Sequence, residues 1–222
     1  MTQVDLTIIA NQLESTNARD RLMALTALKS LPADNAVPLV QKVLYDEHLP
    51  VRSLAIFTLG ENPNAACYDL LLNLLERDTD YAARADAAAA LGALQDLRAF
   101  EPLVRAFFED TSWLVQFSAV VSLGNLKDAR ANGVLRQALN SSESIIQMAA
   151  MSALGEIGDV ESVPLLLEFI PSEDWLIRQR LSEALGNLPT PKSLAALKYL
   201  QKDSHPHVAE AATFALERLS MS

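Results

Sequence analysis

Apolar residues recur along this chain at helical spacing, and the same short pattern returns about every 31 residues. Each copy ends in a leucine, and glycine follows that leucine in five of the seven copies. We call the residue that follows this leucine the glycine position. Apolar residues stand mainly nine, five, two and one positions before it, which places them on one helical face. A fixed period of this length is typical of solenoids, in which each repeat packs on its neighbours. The seven leucines are Leu28, Leu59, Leu91, Leu123, Leu154, Leu185 and Leu216.

Two other positions of the repeat predict where its helices begin and end. A Ser or Asp stands fourteen residues before the glycine position, and its short side-chain oxygen suits a helix N-cap. The glycine itself suits a left-handed C-cap. A second apolar segment follows each turn, for example at 68–75 and 102–108, so each repeat is predicted to be a helical hairpin. The Ser/Asp residues are Ser15, Asp46, Asp78, Asp110, Ser141, Ser172 and Asp203.

The two ends of the chain are predicted to close the repeat array. Residues 4–13 form an apolar segment before the first repeat and are predicted to be a capping helix. Residues 207–219 are predicted to be the closing helix. No strand pattern and no Gly/Ser-rich linker interrupts the chain, so a single domain over residues 1–222 is expected.

Composition narrows the classes of partner. The chain has 222 residues and a formal net charge of −10, whereas a nucleic-acid binder needs a basic surface, so no nucleic acid is expected. No apolar run approaches the roughly 18 residues of a membrane span, so no membrane insertion is expected. The single cysteine, Cys67, fits a reducing compartment, and the expected location is the cytoplasm. Cys67 begins an apolar segment and is predicted to be buried, although an exposed thiol could hold a ligand as a thioether.

Two segments resemble a known repeat family. VRSLAIFTLG at Val51–Gly60 and IRQRLSEALG at Ile177–Gly186 are similar to the HEAT-like repeats named after phycobilisome lyases. This resemblance covers nearly the whole chain and implies an all-α fold, a right-handed HEAT-like α-solenoid of about seven helical hairpins. At the level of the whole chain, the length and acidic balance resemble phycobilisome degradation proteins, which are related to the E and F subunits of phycocyanobilin lyases.

The resemblance implies a function in the light-harvesting antenna. The chain is expected to bind phycobiliprotein subunits (phycocyanin or allophycocyanin) and their open-chain tetrapyrrole, with other phycobilisome degradation factors as further partners. It would act in chromophore detachment or phycobilisome degradation. Two alternatives stay open: a protein-interaction scaffold without a ligand, and a lyase subunit that attaches the bilin. No cofactor is obligatory, phycocyanobilin is the candidate ligand, no catalytic residue is assigned, and any enzymatic activity would be of the bilin lyase type.

A metal site is not expected. HEAT-repeat di-iron hydroxylases carry repeated His-Glu pairs as ligands, but none of His48, His205 and His207 precedes a glutamate. His48 is far along the sequence from the other two, and His205 and His207 flank Pro206 in a segment predicted to be a solvated turn.

The candidate binding surface lies where the central repeats depart from their own pattern. The positions seven and three before the glycine are outward-facing and polar in such repeats, but here they are mostly apolar or small. Aromatic residues stand one helical turn earlier in three repeats. Together they predict an exposed apolar surface, although each aromatic residue could instead pack on the next repeat as a helix-start staple. The residues are Phe57, Tyr81, Ala85, Ala89, Trp113, Phe117, Val121, Met148 and Trp175.

Asp86 is the second departure, because it stands among alanines in a column of otherwise mostly small or apolar residues. One interpretation makes its carboxylate the acceptor for the pyrrole N–H groups of a bilin, with Arg84 meeting a propionate. The other makes it an ordinary ion pair with Arg52, Arg84 or another arginine. Arg52, Arg84 and Arg178 are themselves predicted to pair with Asp46, Asp78 and Asp110 at the helix starts.

Overall fold

The computed structural model describes residues 6–221, which fold into α-helices joined by short turns, with no strand in that range. Seven helices contain or directly precede the glycine position of a repeat, and we call them the glycine-column helices. They are α2 (Ala18–Leu28), α4 (Leu49–Glu61), α6 (Tyr81–Ala93), α8 (Trp113–Asn125), α10 (Ser144–Ile157), α12 (Trp175–Leu185) and α14 (Pro206–Met221).

The other helices alternate with these along the chain and complete the hairpins. Short 3₁₀ turns adjoin some of these helices, at Gln41–Val43, Leu97–Ala99, Val160–Ser162 and Leu167–Phe169. The α-helices of this set are α1 (Leu6–Leu13), α3 (Ala33–Val40), α5 (Cys67–Arg77), α7 (Phe100–Glu109), α9 (Ala131–Ala138), α11 (Val163–Leu166) and α13 (Pro191–Leu200).

The all-α, HEAT-like solenoid fold is confirmed by this alternation of helices. The predicted capping helix corresponds to α1, and residues 4 and 5 of that prediction lie outside the described residues. The predicted closing helix corresponds to α14. The right-handed course of the array and the single domain stay predictions.

Two compact units divide the chain, Met1–Ser122 and Leu123–Ser222, and we refer to them as unit 1 and unit 2. In unit 1, α4 packs on α6, and α5 packs on α6 from the other row of helices. In unit 2, α12 packs on α10 and on α14. The repeated leucines form the core of each unit, because Leu28, Leu59, Leu91, Leu154 and Leu185 are fully buried.

The predicted N-caps are wrong by two residues. Asp80 and Asp174, two positions after the Ser/Asp column, are the N-caps whose side chains accept backbone N–H groups of α6 and α12. The Ser/Asp side chains instead accept the N–H of the cap residue itself, as Asp78 does from Asp80 at 2.9 Å. The column therefore builds the turn that leads into each helix, which is the other common use of a short side-chain acceptor.

The prediction that the glycines are left-handed C-caps is also wrong. Gly60, Gly92 and Gly155 lie inside their helices, and among the described residues only Gly158 is a glycine with positive φ, at 79°. A Cβ at Gly186 would stand 2.7 Å from the Cβ of Ala215, and a Cβ at Gly92 would stand 2.8 Å from the Cα of Ser122. Glycine is required because the next glycine-column helix approaches too closely for any side chain.

Arginines eight residues before the glycine position connect neighbouring repeats. Arg84 donates to the carbonyl of Asp78 at 3.0 Å and pairs with the carboxylate of Asp110 at 2.7 Å. The remaining pairs are Arg21–Asp46, Arg52–Asp80 and Arg178–Asp203. The structural role predicted for these arginines is confirmed, but the partners of Arg52 and Arg178 differ from the predicted ones, because each arginine reaches forward into the following repeat.

Glutamine replaces arginine at two places in this series. The side chain of Gln116 donates to the carbonyl of Asp110, and that of Gln147 donates to the carbonyl of Ser141, both at 2.8 Å. Glutamine therefore keeps the bond within its own repeat and omits the ion pair.

Candidate functional site

Unit 1 exposes aromatic side chains on three successive glycine-column helices. Phe57 of α4 is 48% exposed, Tyr81 of α6 is 56% exposed and Trp113 of α8 is 50% exposed. Tyr81 and Trp113 are the first residues of their helices, where they do not fill the core. The predicted exposure of these three rings is confirmed.

The rest of the predicted surface is less continuous. Phe117 and Val121 follow Trp113 at helical spacing on α8 and are half-buried, and Ala89 on α6 is exposed. Ala85 is buried at 3% exposure, so the predicted stripe Tyr81–Ala85–Ala89 is interrupted. An alanine side chain ends at Cβ, so larger neighbouring side chains cover it easily.

A small groove runs between α4 and α6 at the middle of this surface. Its volume is about 170 Å³. Phe57, Glu61 and Asp86 line it, and the remaining lining residues are Ser53, Gly60, Ala89, Ala90 and Ala93. The ammonium of Lys29 lies 4.4 Å from the centroid of the Phe57 ring, so a cation already contacts that aromatic face.

Asp86 and Arg84 do not share a site. Arg84 faces a different cleft, lined by residues of α5 and α7, where its guanidinium pairs with Asp110. The hydrogen bond that Arg84 donates to that carboxylate is the main reason why the pKa of Arg84 lies above its ordinary value. Burial alone would raise the pKa of Asp110, but the hydrogen bonds from Arg84 and Ser112 and the charge of Arg84 hold it below its ordinary value.

The ion-pair interpretation of Asp86 is not supported, because in the described part of the chain Asp86 makes no ion pair or hydrogen bond. Arg52, the other arginine considered for it, pairs with Asp80 at 2.7 Å. The contact of Asp86 with pyrrole N–H groups stays a prediction.

In unit 2, the two remaining predicted residues are covered to a greater extent. Met148 of α10 is half-buried. Trp175, the first residue of α12, stacks on the ring of His205 in the next repeat at a centroid distance of 4.0 Å and an interplanar angle of 14°. The staple interpretation is therefore confirmed for Trp175 in unit 2, in contrast to the exposed Tyr81 and Trp113 of unit 1.

Unit 2 has its own groove on the equivalent positions of α10, α12 and α14, with a volume of about 500 Å³. Its lining includes Glu156, Arg180 and Glu183, with the exposed ring of Phe214. Arg180 and Glu183 form an ion pair at 2.7 Å. Neither Phe214 nor Glu61 was predicted as a site residue. Phe214 stands three residues before the glycine position, as Phe57 does, and Glu61 stands one residue after it, so their places in the repeat could have identified them.

The nucleophile and metal candidates are not available for chemistry in the described residues. Cys67 is fully buried, as predicted, and burial raises the pKa of its thiol. The described part of the chain contains no group of three or more His, Cys, Asp or Glu side chains that could hold a metal ion. His205 is half-buried by the stack with Trp175, so the predicted solvated turn is wrong for this residue. No helix in the described range is both long and apolar enough to cross a membrane.

Comparisons with known proteins agree with this architecture. No curated protein matches the sequence. The chain is similar to a chain in the complex of CpcE and CpcF of phycocyanin lyase from Nostoc sp. PCC7120, with 21% identity, a TM-score of 0.62 and coverage of 99% of this chain and 96% of that chain. An engineered protein is 23% identical, with a TM-score of 0.62 and coverage of 97% and 68%.

A chain in the structure of Kap95p with RanGDP is 15% identical, with a TM-score of 0.68, and this protein covers 36% of its length. Identities this low show a shared fold only. The sequence pattern described as HEAT repeats matches residues 68–150 and 132–217, which together span more than half of the sequence. The chain therefore belongs to the HEAT-repeat family.

Proposed function

We propose that this chain is a protein-binding scaffold for phycobiliprotein subunits and that the bilin of the bound subunit lies against its exposed aromatic residues. The observation that carries the proposal is the half-exposed state of Phe57, Tyr81 and Trp113 on three successive glycine-column helices, in unit 1. Large rings left in water cost free energy that a partner surface recovers, and tyrosine and tryptophan dominate the binding energy of protein interfaces.

The choice of partner rests on the resemblance of the repeats. The segments at Val51–Gly60 and Ile177–Gly186 resemble phycobilisome lyase-type repeats, and the chain as a whole resembles the phycobilisome degradation protein NblB. The shared fold with a phycocyanin lyase complex supports the same class of partner. We therefore propose a cytoplasmic role in chromophore detachment or phycobilisome degradation, in which phycocyanin or allophycocyanin is the protein partner and phycocyanobilin the ligand.

The proposed mechanism is displacement rather than chemical catalysis. Trp113, Phe117 and Val121 are spaced four residues apart on α8 and form an apolar surface on which a flat conjugated ring system can lie. Bilin displaced from its pocket in the phycobiliprotein, with its covalent link to that subunit left intact, would be held against this surface, which lowers the free energy of the displaced state. No side chain is assigned as a general acid or base in this step.

The experiment is a titration with free phycocyanobilin and with holo-phycocyanin, followed by visible absorbance and by a binding isotherm. We expect both ligands to bind and the bilin spectrum to change. Tyr81→Ala should weaken binding of holo-phycocyanin by about tenfold or more, the scale of an interface aromatic residue. Tyr199→Ala is the matched control, because Tyr199 is a tyrosine with 68% exposure on α13, outside the proposed surface.

The outcomes separate the proposal from its two alternatives. Binding of phycocyanin without any change of the bilin spectrum would support a scaffold without a ligand. A further arm mixes the chain with free phycocyanobilin and phycocyanin apoprotein. Bilin that becomes attached to the apoprotein there and stays attached after denaturation would instead support a lyase subunit. Equal loss of affinity in Tyr81→Ala and Tyr199→Ala would contradict the proposed surface.

A further inference from the structure

The groove between α4 and α6 carries two negative charges and no positive one. Asp86 is half-buried on α6, and Glu61 is exposed at the end of α4. In the part of the chain that the structure describes, neither carboxylate makes a hydrogen bond or an ion pair. The rest of the lining consists of Phe57, Ser53, glycine and alanines. Ser53 is therefore its only other polar side chain, and no cationic side chain is part of it.

This arrangement is unfavourable without an added cation. Two carboxylates that line one groove repel each other, and the apolar lining weakens the screening that water provides. The equivalent groove of unit 2 contains a cation, because Arg180 occupies the position of Asp86, lines that groove with Glu156 and pairs with Glu183. In unit 1 the groove lining has no cationic side chain, so a positively charged group of another molecule would complement it.

The aromatic ring of the groove fits the same kind of ligand. Phe57 is 48% exposed, and the Lys29 ammonium lies 4.4 Å from its ring centroid. Phe57 also lines the groove, so exposed surface of its ring is open to a cation bound there.

The size of the groove limits the ligand to a single side chain or ring. Its volume of about 170 Å³ lies below the lower end, about 300 Å³, of ordinary small-molecule pockets. A planar guanidinium stacks on aromatic rings and offers five N–H donors, which allows it to meet two carboxylates at once, whereas an ammonium acts as a point charge.

We propose that the groove between α4 and α6 binds the guanidinium of an arginine side chain on a protein partner. Asp86 and Glu61 accept its N–H groups, Phe57 contacts its face, and the alanines of α6 allow the side chain to lie close to the helix. The proposal rests on the proposed function only in that the partner is a protein; it does not require that protein to be a phycobiliprotein.

The test uses the full chain and a peptide probe, so that it is independent of phycobiliprotein binding. Acetyl-Gly-Arg-Gly-amide is titrated into protein carrying labelled alanine methyl groups and followed by NMR. Acetyl-Gly-citrulline-Gly-amide is the matched ligand, because citrulline has nearly the shape of arginine without its charge. We expect saturable shifts at Ala89, Ala90 and Ala93 with the arginine peptide, and at least tenfold weaker binding of the citrulline peptide.

Substitutions then assign the site to the two carboxylates. Asp86→Asn should weaken binding of the arginine peptide by about tenfold, and Glu61→Gln should weaken it to a smaller extent because Glu61 is more exposed. Glu156→Gln, which removes the equivalent charge from the groove of unit 2, should leave the affinity unchanged. Circular dichroism melting curves check that all three variants are folded.

Several results would overturn the inference. These are the absence of saturable shifts up to about 10 mM peptide, equal binding of the citrulline peptide, or an Asp86→Asn variant that binds the arginine peptide as the wild type does. If Asp86→Asn weakens only the binding of free phycocyanobilin, the groove takes a pyrrole ring and not an arginine. Failure of phycocyanin to bind would contradict the proposed function and leave the peptide result unaffected.

Discussion

The groove of unit 1 and the groove of unit 2 are built from the same positions of the repeat and differ in their charges. In unit 1 the position six before the glycine is Asp86, and it lines a groove with Glu61. In unit 2 the same position is Arg180, and it lines a groove with Glu156. The positions that pack the helices together are the same in both units, so the outward positions are free to differ, and the binding properties of a repeat protein are encoded there.

The largest expected effect comes from disturbing a feature that both units share, the close approach of neighbouring helices at the glycine column. Gly92→Ala should lower the free energy of unfolding by about 2–3 kcal/mol, because the new Cβ would stand 2.8 Å from the Cα of Ser122, which cannot move aside. Gly133→Ala in α9 is the control, because nothing lies within 4 Å of a Cβ there. That variant should gain up to about 1 kcal/mol from the higher helix propensity of alanine. Urea unfolding measures both, and a neutral Gly92→Ala would contradict the steric argument.

The next effect concerns the ion pairs between repeats. Arg84→Gln should lower the free energy of unfolding by about 1–3 kcal/mol at pH 7, because glutamine can keep the bond to the carbonyl of Asp78, as Gln116 does to Asp110, but leaves the Asp110 carboxylate without its cation. The same substitution at Arg178 should act similarly through Asp203 in unit 2.

The effect of Arg84→Gln should also depend on pH. The pKa of Asp110 is lowered in the folded protein, so this carboxylate stabilises the fold above its unfolded pKa of about 3.9. That contribution is lost as the pH falls through the lower folded pKa. The difference between wild type and Arg84→Gln in urea unfolding should therefore be constant from pH 5 to 7 and shrink below about pH 4. A difference that grows with acid would show that another group is responsible.

The two tryptophans sharpen the comparison, because they occupy equivalent positions in different surroundings. Trp175→Ala should lower the free energy of unfolding by about 1–2 kcal/mol, since the stack on His205 is lost. Trp113→Ala should change it by less than about 0.5 kcal/mol, because half of the side chain is exposed. The same Trp113→Ala variant should bind holo-phycocyanin more weakly, whereas equal destabilisation by both substitutions would place Trp113 in the core.

The smallest expected effect on stability comes from a substitution that gives the groove of unit 1 the charges of the groove of unit 2. Asp86→Arg gives unit 1 the charge arrangement of unit 2 and should raise the free energy of unfolding by no more than about 0.5 kcal/mol, the usual size of an exposed ion pair. It should nevertheless abolish binding of the arginine peptide. Retained binding in this variant would show that the peptide binds elsewhere.

Much of the fold could be predicted from the sequence, because the period and the apolar positions determine the helices and the face that each one buries. The predicted core leucines are buried, and α1 and α14 stand where the two end helices were predicted. The roles of the glycines and of the arginines could not be predicted fully. Both depend on the distance to the following repeat, and a helical pattern within one repeat contains no information on that distance.

The candidate site was predictable to a smaller extent. The exposure of Tyr81 and Trp113 followed from their departure from the repeat, but the burial of Ala85 and the stack of Trp175 on His205 depend on neighbouring helices. Arg84 appears close to Asp86 in the sequence, yet two residues of separation on a helix turn their side chains to different faces. Glu61 could be connected with Asp86 only once the spacing of α4 and α6 was known.

The choice of arginine or glutamine in each repeat also limits how such a chain can be recombined. Repeats with Arg21, Arg84 or Arg178 are followed by a repeat with an aspartate at the start of its turn, and those with Gln116 or Gln147 are followed by one with a serine. At these junctions we expect duplication or exchange of repeats to destabilise the chain least when the new neighbour matches this donor. Arg52 is the exception, because it pairs with Asp80, two residues after the column position. A junction of glutamine with aspartate would leave a carboxylate in a partly buried place without its cation, so gene shuffling in such proteins is expected to preserve pairs of adjacent repeats rather than single ones.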